Sequence, residues 1–241
     1  MFPIEFQMAL EEAACAYGLP MSADERALFS RYYMLLRQGN QKTNLTAITA
    51  PKEVAIKHII DSLTALRGAD FSGTPQVVDV GTGAGFPGLP LKIHCPQIQL
   101  TLIDSLGKRI AFLEEATEAL GLRDVRILHL RAEDAGRDKT LREKFDIVVS
   151  RAVARLPVLL EYLLPLAKVG GYAVALKGMA YQEELVEAEK ALQILGGQAQ
   201  AIPIQLPELT DKRAVIAVKK IKATPQTYPR RAGTPQKLPL K

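Results

Sequence analysis

The sequence contains no tryptophan, three histidines and two cysteines. Cys15 and Cys95 stand 80 positions apart, outside any CxxC pair or Cys/His cluster. That excludes a zinc ribbon and a disulfide scaffold, and two free cytosolic thiols are expected, with no metal site. Long apolar runs are missing too. The richest stretch, Ala152 to Val169, is interrupted by Arg155, Glu161, Lys168 and two prolines, so no membrane span is expected. The opening MFPIEFQMALEEAACAYG carries acids where a secretory signal needs bases, which predicts a cytoplasmic protein. What remains is ordinary for a folded chain of 241 residues: 48% hydrophobic and 24% charged, enough for one or two domains with a sizeable core.

The charge is uneven. The net +5 comes from the end of the chain, where Lys219 to Lys241 holds seven basic residues and no acid. The rest has 24 basic and 26 acidic residues, a net of −2. A basic stretch containing Pro225, Pro229, Pro235 and Pro239 predicts an extended, mobile tail over residues 222–241. Such a tail is either a solvated solubility segment or an arm that seeks polyanions.

Apolar spacing predicts three helices at the start: Pro3 to Tyr17, a second opened by the capping box Ser22-Ala23-Asp24-Glu25 and ending near Gly39-Asn40, and a third from Pro51 to Arg67. NQKTNLTAIT between the last two reads as a polar loop, and Gly68 to Pro75 as a linker. From Gln76 short apolar strands alternate with helices, the pattern of a parallel sheet covered on both faces. Two closing strands, Gln200–Gln205 and Ala214–Lys219, have no helix between them and predict an edge hairpin. The division expected is a helical segment 1–70, an α/β domain 71–221 and the tail 222–241. No apolar stripe is left unassigned, so a monomer is expected.

QVVDVGTGAGFPGLPLK is the most informative segment. A buried strand ends in Asp79, then Gly81, Gly83 and Gly85 alternate before a helix. Glycines there let a ligand approach the backbone, and amides at a helix start face an anionic group. Asp104 ends the next strand, 23 residues beyond Gly81, close to the roughly 20-residue offset of a ribose-binding acid. Ala132-Glu133 ends the third strand and Arg151 the fourth. In open parallel sheets ligands bind at these carboxyl ends. Each acid alone has another reading, since Asp or Ser after a strand often caps the next helix. The agreement of four strand ends is what points to a nucleotide.

Gly83-Ala-Gly85-Phe-Pro-Gly88 satisfies G-x-G-x-x-G, so an NAD-dependent oxidoreductase is one alternative. A non-catalytic RNA-binding assembly factor is another. S-adenosylmethionine fits better: the glycine loop starts directly after a strand-end acid, and no hydride-transfer partner follows. The fourth strand reads FDIVVSRAVARL and lacks the Asn/Asp-Pro-Pro-aromatic motif of many exocyclic-amine methyltransferases. A ring nitrogen with a free lone pair, such as guanine N7, needs no such clamp and no general base.

NLTAI, KHIIDSL, VDVGTGAGFPGLPL, LIDSLGKR, RAED, VVSRAVA, ALKG and YPRRAGTPQKLPL resemble the ribosomal RNA small subunit methyltransferase G family, formerly glucose-inhibited division protein B, in order and over nearly the whole chain. The resemblance implies a Rossmann-like class I methyltransferase with a mostly parallel seven-stranded sheet, acting on N7 of a guanosine in 16S rRNA. It implies that Gly81, Phe86, Ile103-Asp104-Ser105, Ala132-Glu133 and Arg151 contact S-adenosylmethionine. Its implied partner is 16S rRNA, the small ribosomal subunit or an assembly intermediate. Phosphate or base contacts are expected from Asn40 and Asn44 in the polar loop and from Lys177, Arg213, Arg230 and Arg231. Arg109 follows Asp104 and either joins them or lines a helix face. Arg151 would pair with the cofactor carboxylate or orient the base. His58 and Asp61, one turn apart, read more simply as a helix-surface hydrogen bond than as catalytic groups.

Overall fold

The computed structural model describes residues 4–241, and Pro3, proposed as the first residue of the first helix, lies outside them. α1 (Ile4–Tyr17) buries Phe6, Leu10 and Ala13 at helical spacing and ends at Gly18, whose φ of 72° is left-handed. α2 (Ala23–Thr43) starts at the expected capping box: Glu25 N donates to Ser22 Oγ, and Ser22 N donates to Glu25 Oε2. It runs four residues past Gly39, to a left-handed Asn44. Gly39 is therefore no stop signal. A Cβ there would lie 2.6 Å from the Phe112 ring, so the glycine permits close packing.

The third helix is not uniform. Residues 51–67 begin with α3 (Pro51–Val54), widen into a π-helical turn (Ala55–Ile60), return to α4 (Asp61–Leu63) and tighten into a 3₁₀ turn (Thr64–Arg67). Ile56, Ile59, Ile60 and Leu63 are buried as the spacing predicts. Single π turns of this kind gather at functional positions because they re-aim side chains and carbonyls.

The α/β part comprises β1 (Gln76–Val80), α5 (Gly88–His94), β2 (Gln99–Asp104), α6 (Gly107–Ala119), β3 (Val125–His129), α7 (Ala132–Arg137), β4 (Phe145–Arg151), α8 (Leu156–Leu163), β5 (Ala167–Lys177), α9 (Tyr181–Glu187), α10 (Glu189–Leu195), β6 (Gly197–Ile204) and β7 (Arg213–Lys220). α8 stops earlier and β5 starts earlier than their apolar runs suggest. The helix ends just before Pro165, and Gly170-Gly171 lies inside the strand. The seven strands are ordered β3-β2-β1-β4-β5-β7-β6. β1 to β5 are parallel, and β7 inserts antiparallel between β5 and β6. The expected hairpin is thus present, with its second strand placed inward.

Alternate residues of the strands feed two cores. Val77, Leu100, Val149 and Val174 pack with the N-terminal helices, α5 and α6, while Val78, Ile103, Val148 and Ala173 pack with α7, α8 and α10. The N-terminal helices therefore share one core with the sheet. The stretch read as a linker is packed as well: Phe71 is buried, and a Cβ on Gly68 would lie 2.8 Å from Val174 and Val215.

The tail departs most from expectation. It is folded onto α7 and α8 instead of extended. Arg142 donates to the carbonyls of Thr224 and Tyr228, Arg137 donates to Pro229 O, and the chain closes in α11 (Thr234–Lys237). Its charges answer acids of the body, Arg230 meeting Glu161 and Lys241 meeting Glu187, while Lys220 at the end of β7 meets Glu143. A cation with a buried carboxylate partner has a reason to dock, which the proline count does not reveal.

Candidate functional site

Two cavities open along the carboxyl edge of the sheet, and Ala152 lines both. Ala152 directly follows β4 and has a left-handed φ of 56°, so the chain turns sharply between them.

The first cavity, about 420 Å³, falls in the size range of small-ligand pockets. Gly81, Ile103, Asp104, Ser105, Ala132 and Glu133 line it, with Val153 and Tyr162 as apolar walls. The glycines of the loop have separate tasks. Gly81, at φ 71°, faces the cavity, and a Cβ on it would lie 2.5 Å from Val153 Cγ2. Gly83 donates its amide to Asp104 Oδ2 at 2.9 Å. Gly85 turns the other way, toward Leu89 and the Tyr32 hydroxyl, so its place in the pattern serves packing. Phe86 also faces away, beneath His58 at a ring separation of 4.5 Å.

Asp79 is fully buried and does not line the cavity. Its Oδ2 accepts from Thr82 Oγ1 and Gly88 N, which pins the loop from below, while Oδ1 has no partner. Burial pushes its carboxyl up to about 7, against the opposing effect of those hydrogen bonds. Asp104 is 2% exposed and already held: Leu106 N donates to Oδ1, while Gly83 N and Arg109 donate to Oδ2. It is oriented before any ligand arrives, and with three of its roughly four lone-pair sites taken, a diol would use the free site on Oδ1 and replace the 3.2 Å Arg109 contact on Oδ2. Glu133 accepts the amide of Gly233 at 2.9 Å. Gly233 and Gln236 of the tail complete the lining, and composition gave no warning of either. A glycine end without Cβ atoms, two oriented carboxylates and apolar walls fit a nucleoside-bearing ligand.

The second cavity, about 580 Å³, lies between the N-terminal helical run and the ends of β4 and β5. Its basic lining residues are Lys57, Arg151, Lys177 and Arg213; its acids are Asp61 and Glu184. Four cations against two anions leave a net of +2. Arg151 is its centre. It donates to Asp61 Oδ2 at 2.9 Å and to Lys57 O at 3.0 Å, lies 3.2 Å from His58 Nδ1, and sits over the Phe86 ring at 4.9 Å. Arg213 donates to the other oxygen of Asp61 at 3.2 Å. His58 and Asp61 are buried, so the helix-surface reading is corrected: each bonds Arg151 rather than the other. Burial, then Arg151, lowers His58 to about 3, which keeps it neutral.

The remaining candidates divide. Lys177 lies in this cavity with its ammonium held by Glu184 at 2.6 Å and Ala154 O at 2.8 Å. Asn40 accepts from Thr46 N, Thr46 Oγ1 meets His58 Nε2 at 2.8 Å, and Asn44 caps α2, so the polar loop steadies the network. Arg230 is not part of its lining and is tied to the buried Glu161 by its own amide and by the Nε and Nη2 of its guanidinium. Arg231 is exposed. No cluster of three or more potential metal-ligating side chains occurs among the described residues, and no helix among them is long and apolar enough to cross a membrane.

A parallel sheet with an inserted antiparallel seventh strand, a glycine loop after β1 and acids after β2 and β3 define a class I methyltransferase fold. Solved structures agree: TrmN from Thermus thermophilus superposes with TM-score 0.54 at 21% identity, covering 77% of this chain and 53% of that one. TYW2 from P. horikoshii, in complex with MeSAdo, gives TM-score 0.54 at 16% identity, covering 69% of this chain and 63% of its own. The model of the family described as rRNA small subunit methyltransferase G matches residues 25–215, and the chain belongs to that family. Proteins named Ribosomal RNA small subunit methyltransferase G from Lactobacillus johnsonii and Desulforamulus reducens are 53% and 47% identical to it. The alignments cover 93% and 98% of this chain, and 95% and 99% of the relatives.

Proposed function

We propose that this protein transfers a methyl group from S-adenosylmethionine to N7 of a guanosine in 16S rRNA. The carrying observation is the pair of cavities meeting at Ala152, one suited to a nucleoside and the other basic. S-adenosylmethionine, when bound, supplies a methyl group on a cationic sulfur. Asp104 accepts the ribose hydroxyls, Ala132 and Glu133 face the base, and the amides after Gly81 meet the aminoacyl end. The net positive lining that includes Lys57, Lys177 and Arg213 draws the RNA backbone toward the second cavity, and Arg151 orients the base from its strand end.

Guanine N7 carries a lone pair in its neutral form, so no proton leaves before the bond forms. Neutral His58, already bonded to Thr46 and stacked on Phe86, is accordingly a positioning residue. Alignment of the two reacting groups contributes about 7–11 kcal/mol in favourable cases. The protein is read as a cytoplasmic monomer whose substrate is 16S rRNA, the small subunit or its assembly intermediate.

The test is nucleoside mass spectrometry of 16S rRNA from cells lacking this protein, with purified protein and labelled S-adenosylmethionine added back. One 7-methylguanosine should disappear and return labelled. An unchanged nucleoside profile would overturn the reading.

A further inference from the structure

The tail reaches the nucleoside cavity, and its construction indicates why. Glu161 lies in an otherwise apolar stretch of α8 and has no solvent exposure. It takes the Arg230 backbone amide at 2.7 Å and the guanidinium at 2.6–3.2 Å. Arg142 and Arg137 hold the preceding carbonyls. Three residues beyond this anchor the chain turns at Gly233, at φ 80°, and gives its amide to Glu133. Pro235 is buried, and Gln236 then joins the cavity lining. An arm for RNA would leave Arg230 free; here Arg230 is consumed in fixing a turn beside Glu133.

We infer that residues 230–236 form the purine-side wall of the donor pocket, with Gln236 binding the adenine. The inference rests on the donor reading given above. A carboxamide presents a donor and an acceptor side by side, and adenine presents the complement on its N6/N7 edge. The Gln236 carboxamide makes no hydrogen bond to another described residue and is exposed at the cavity, so both of its groups remain available. Arg230 acts through the turn and is a positioning residue.

The absence of tryptophan makes the test direct. In Gln236→Trp the one indole should change its emission saturably as S-adenosylhomocysteine is added. The neighbouring Lys237→Trp, exposed like Gln236 but outside the lining, should change little. Gln236→Ala should weaken calorimetric affinity for S-adenosylhomocysteine by about threefold to tenfold, the worth of one or two hydrogen bonds. The melting temperature of its ligand-free form should stay at the wild-type value. Flat emission from Gln236→Trp in a variant that still binds, or wild-type affinity in Gln236→Ala, would overturn the wall and leave the donor pocket standing. Failure of the wild-type protein to bind S-adenosylhomocysteine would remove the donor reading and the wall together.

Discussion

The two cavities are neighbours built on opposite plans. The first is made mainly of backbone: glycine turns, strand ends and amides aimed by two carboxylates. Most of its parts come in chain order after β1, β2, β3 and β4, within a few residues of a strand end, with Tyr162 of α8 and the tail's Gly233 and Gln236 added from farther on. The second is made of side chains from distant places, Thr46, His58 and Asp61 on one side and Arg151, Lys177 and Arg213 on the other, joined by ion pairs. A backbone-built site tolerates substitution except at glycines and orienting acids. A side-chain-built site depends on its central arginine.

The largest effect should come from that arginine. Arg151→Ala strands Asp61 with Arg213 alone and should cost about 3 kcal/mol, lowering the melting temperature by roughly 6–12 °C. Arg151→Lys should recover little, because an ammonium cannot span Asp61, the Lys57 carbonyl and the Phe86 face together. If thermal melting of Arg151→Ala matched wild type, the second cavity would not be held as described.

Asp104→Ala should weaken S-adenosylhomocysteine by about 30-fold or more in calorimetry, since it removes ligand bonds and the acceptor of Gly83 and Leu106. Affinity for RNA should barely change, which would sharpen the separation between the cavities.

Acid–base behaviour sets the two apart by sign. Native Asp79 keeps its proton to about 7 while the unfolded chain loses it near 4, so its contribution to stability falls as pH rises through that interval. Native His58 refuses a proton down to about 3 while the unfolded chain takes one near 6.5, so its contribution falls as pH drops through that interval. Denaturant titrations of Asp79→Asn and His58→Gln between pH 4 and 7 should depart from wild type in opposite directions. A shared direction would break the contrast.

The smallest effect concerns the tail. Arg231→Ala should leave stability within about 0.5 kcal/mol and lower the salt slope of RNA affinity by about one if Arg231 meets a phosphate. An unchanged slope would confine RNA contact to the second cavity's side.

The difference in plan also explains what was legible in the sequence. Strand, glycine, helix and a strand-end acid 23 residues on are local patterns, so the sheet, the loop and Asp104 could be read directly. The capping box at Ser22 and the final hairpin were local as well. The π turn was not, because a five-residue spacing hides within helical periodicity. His58 and Asp61 looked like a surface pair because their partner, Arg151, is 90 or more residues away. The tail was misjudged by composition, although one signal existed: a lone Glu161 within apolar PVLLEYLL demands a buried cation, and only a distant arginine supplies it.

The interior common to the opening helices and the sheet has a mechanical outcome. Two bodies joined by a hinge can spread to admit a bulky guest; a body knit through one interior cannot. Parting the opening helices from the sheet to widen the mouth beside Arg151 would expose that shared interior to water, a cost that a hinge between separate bodies does not carry.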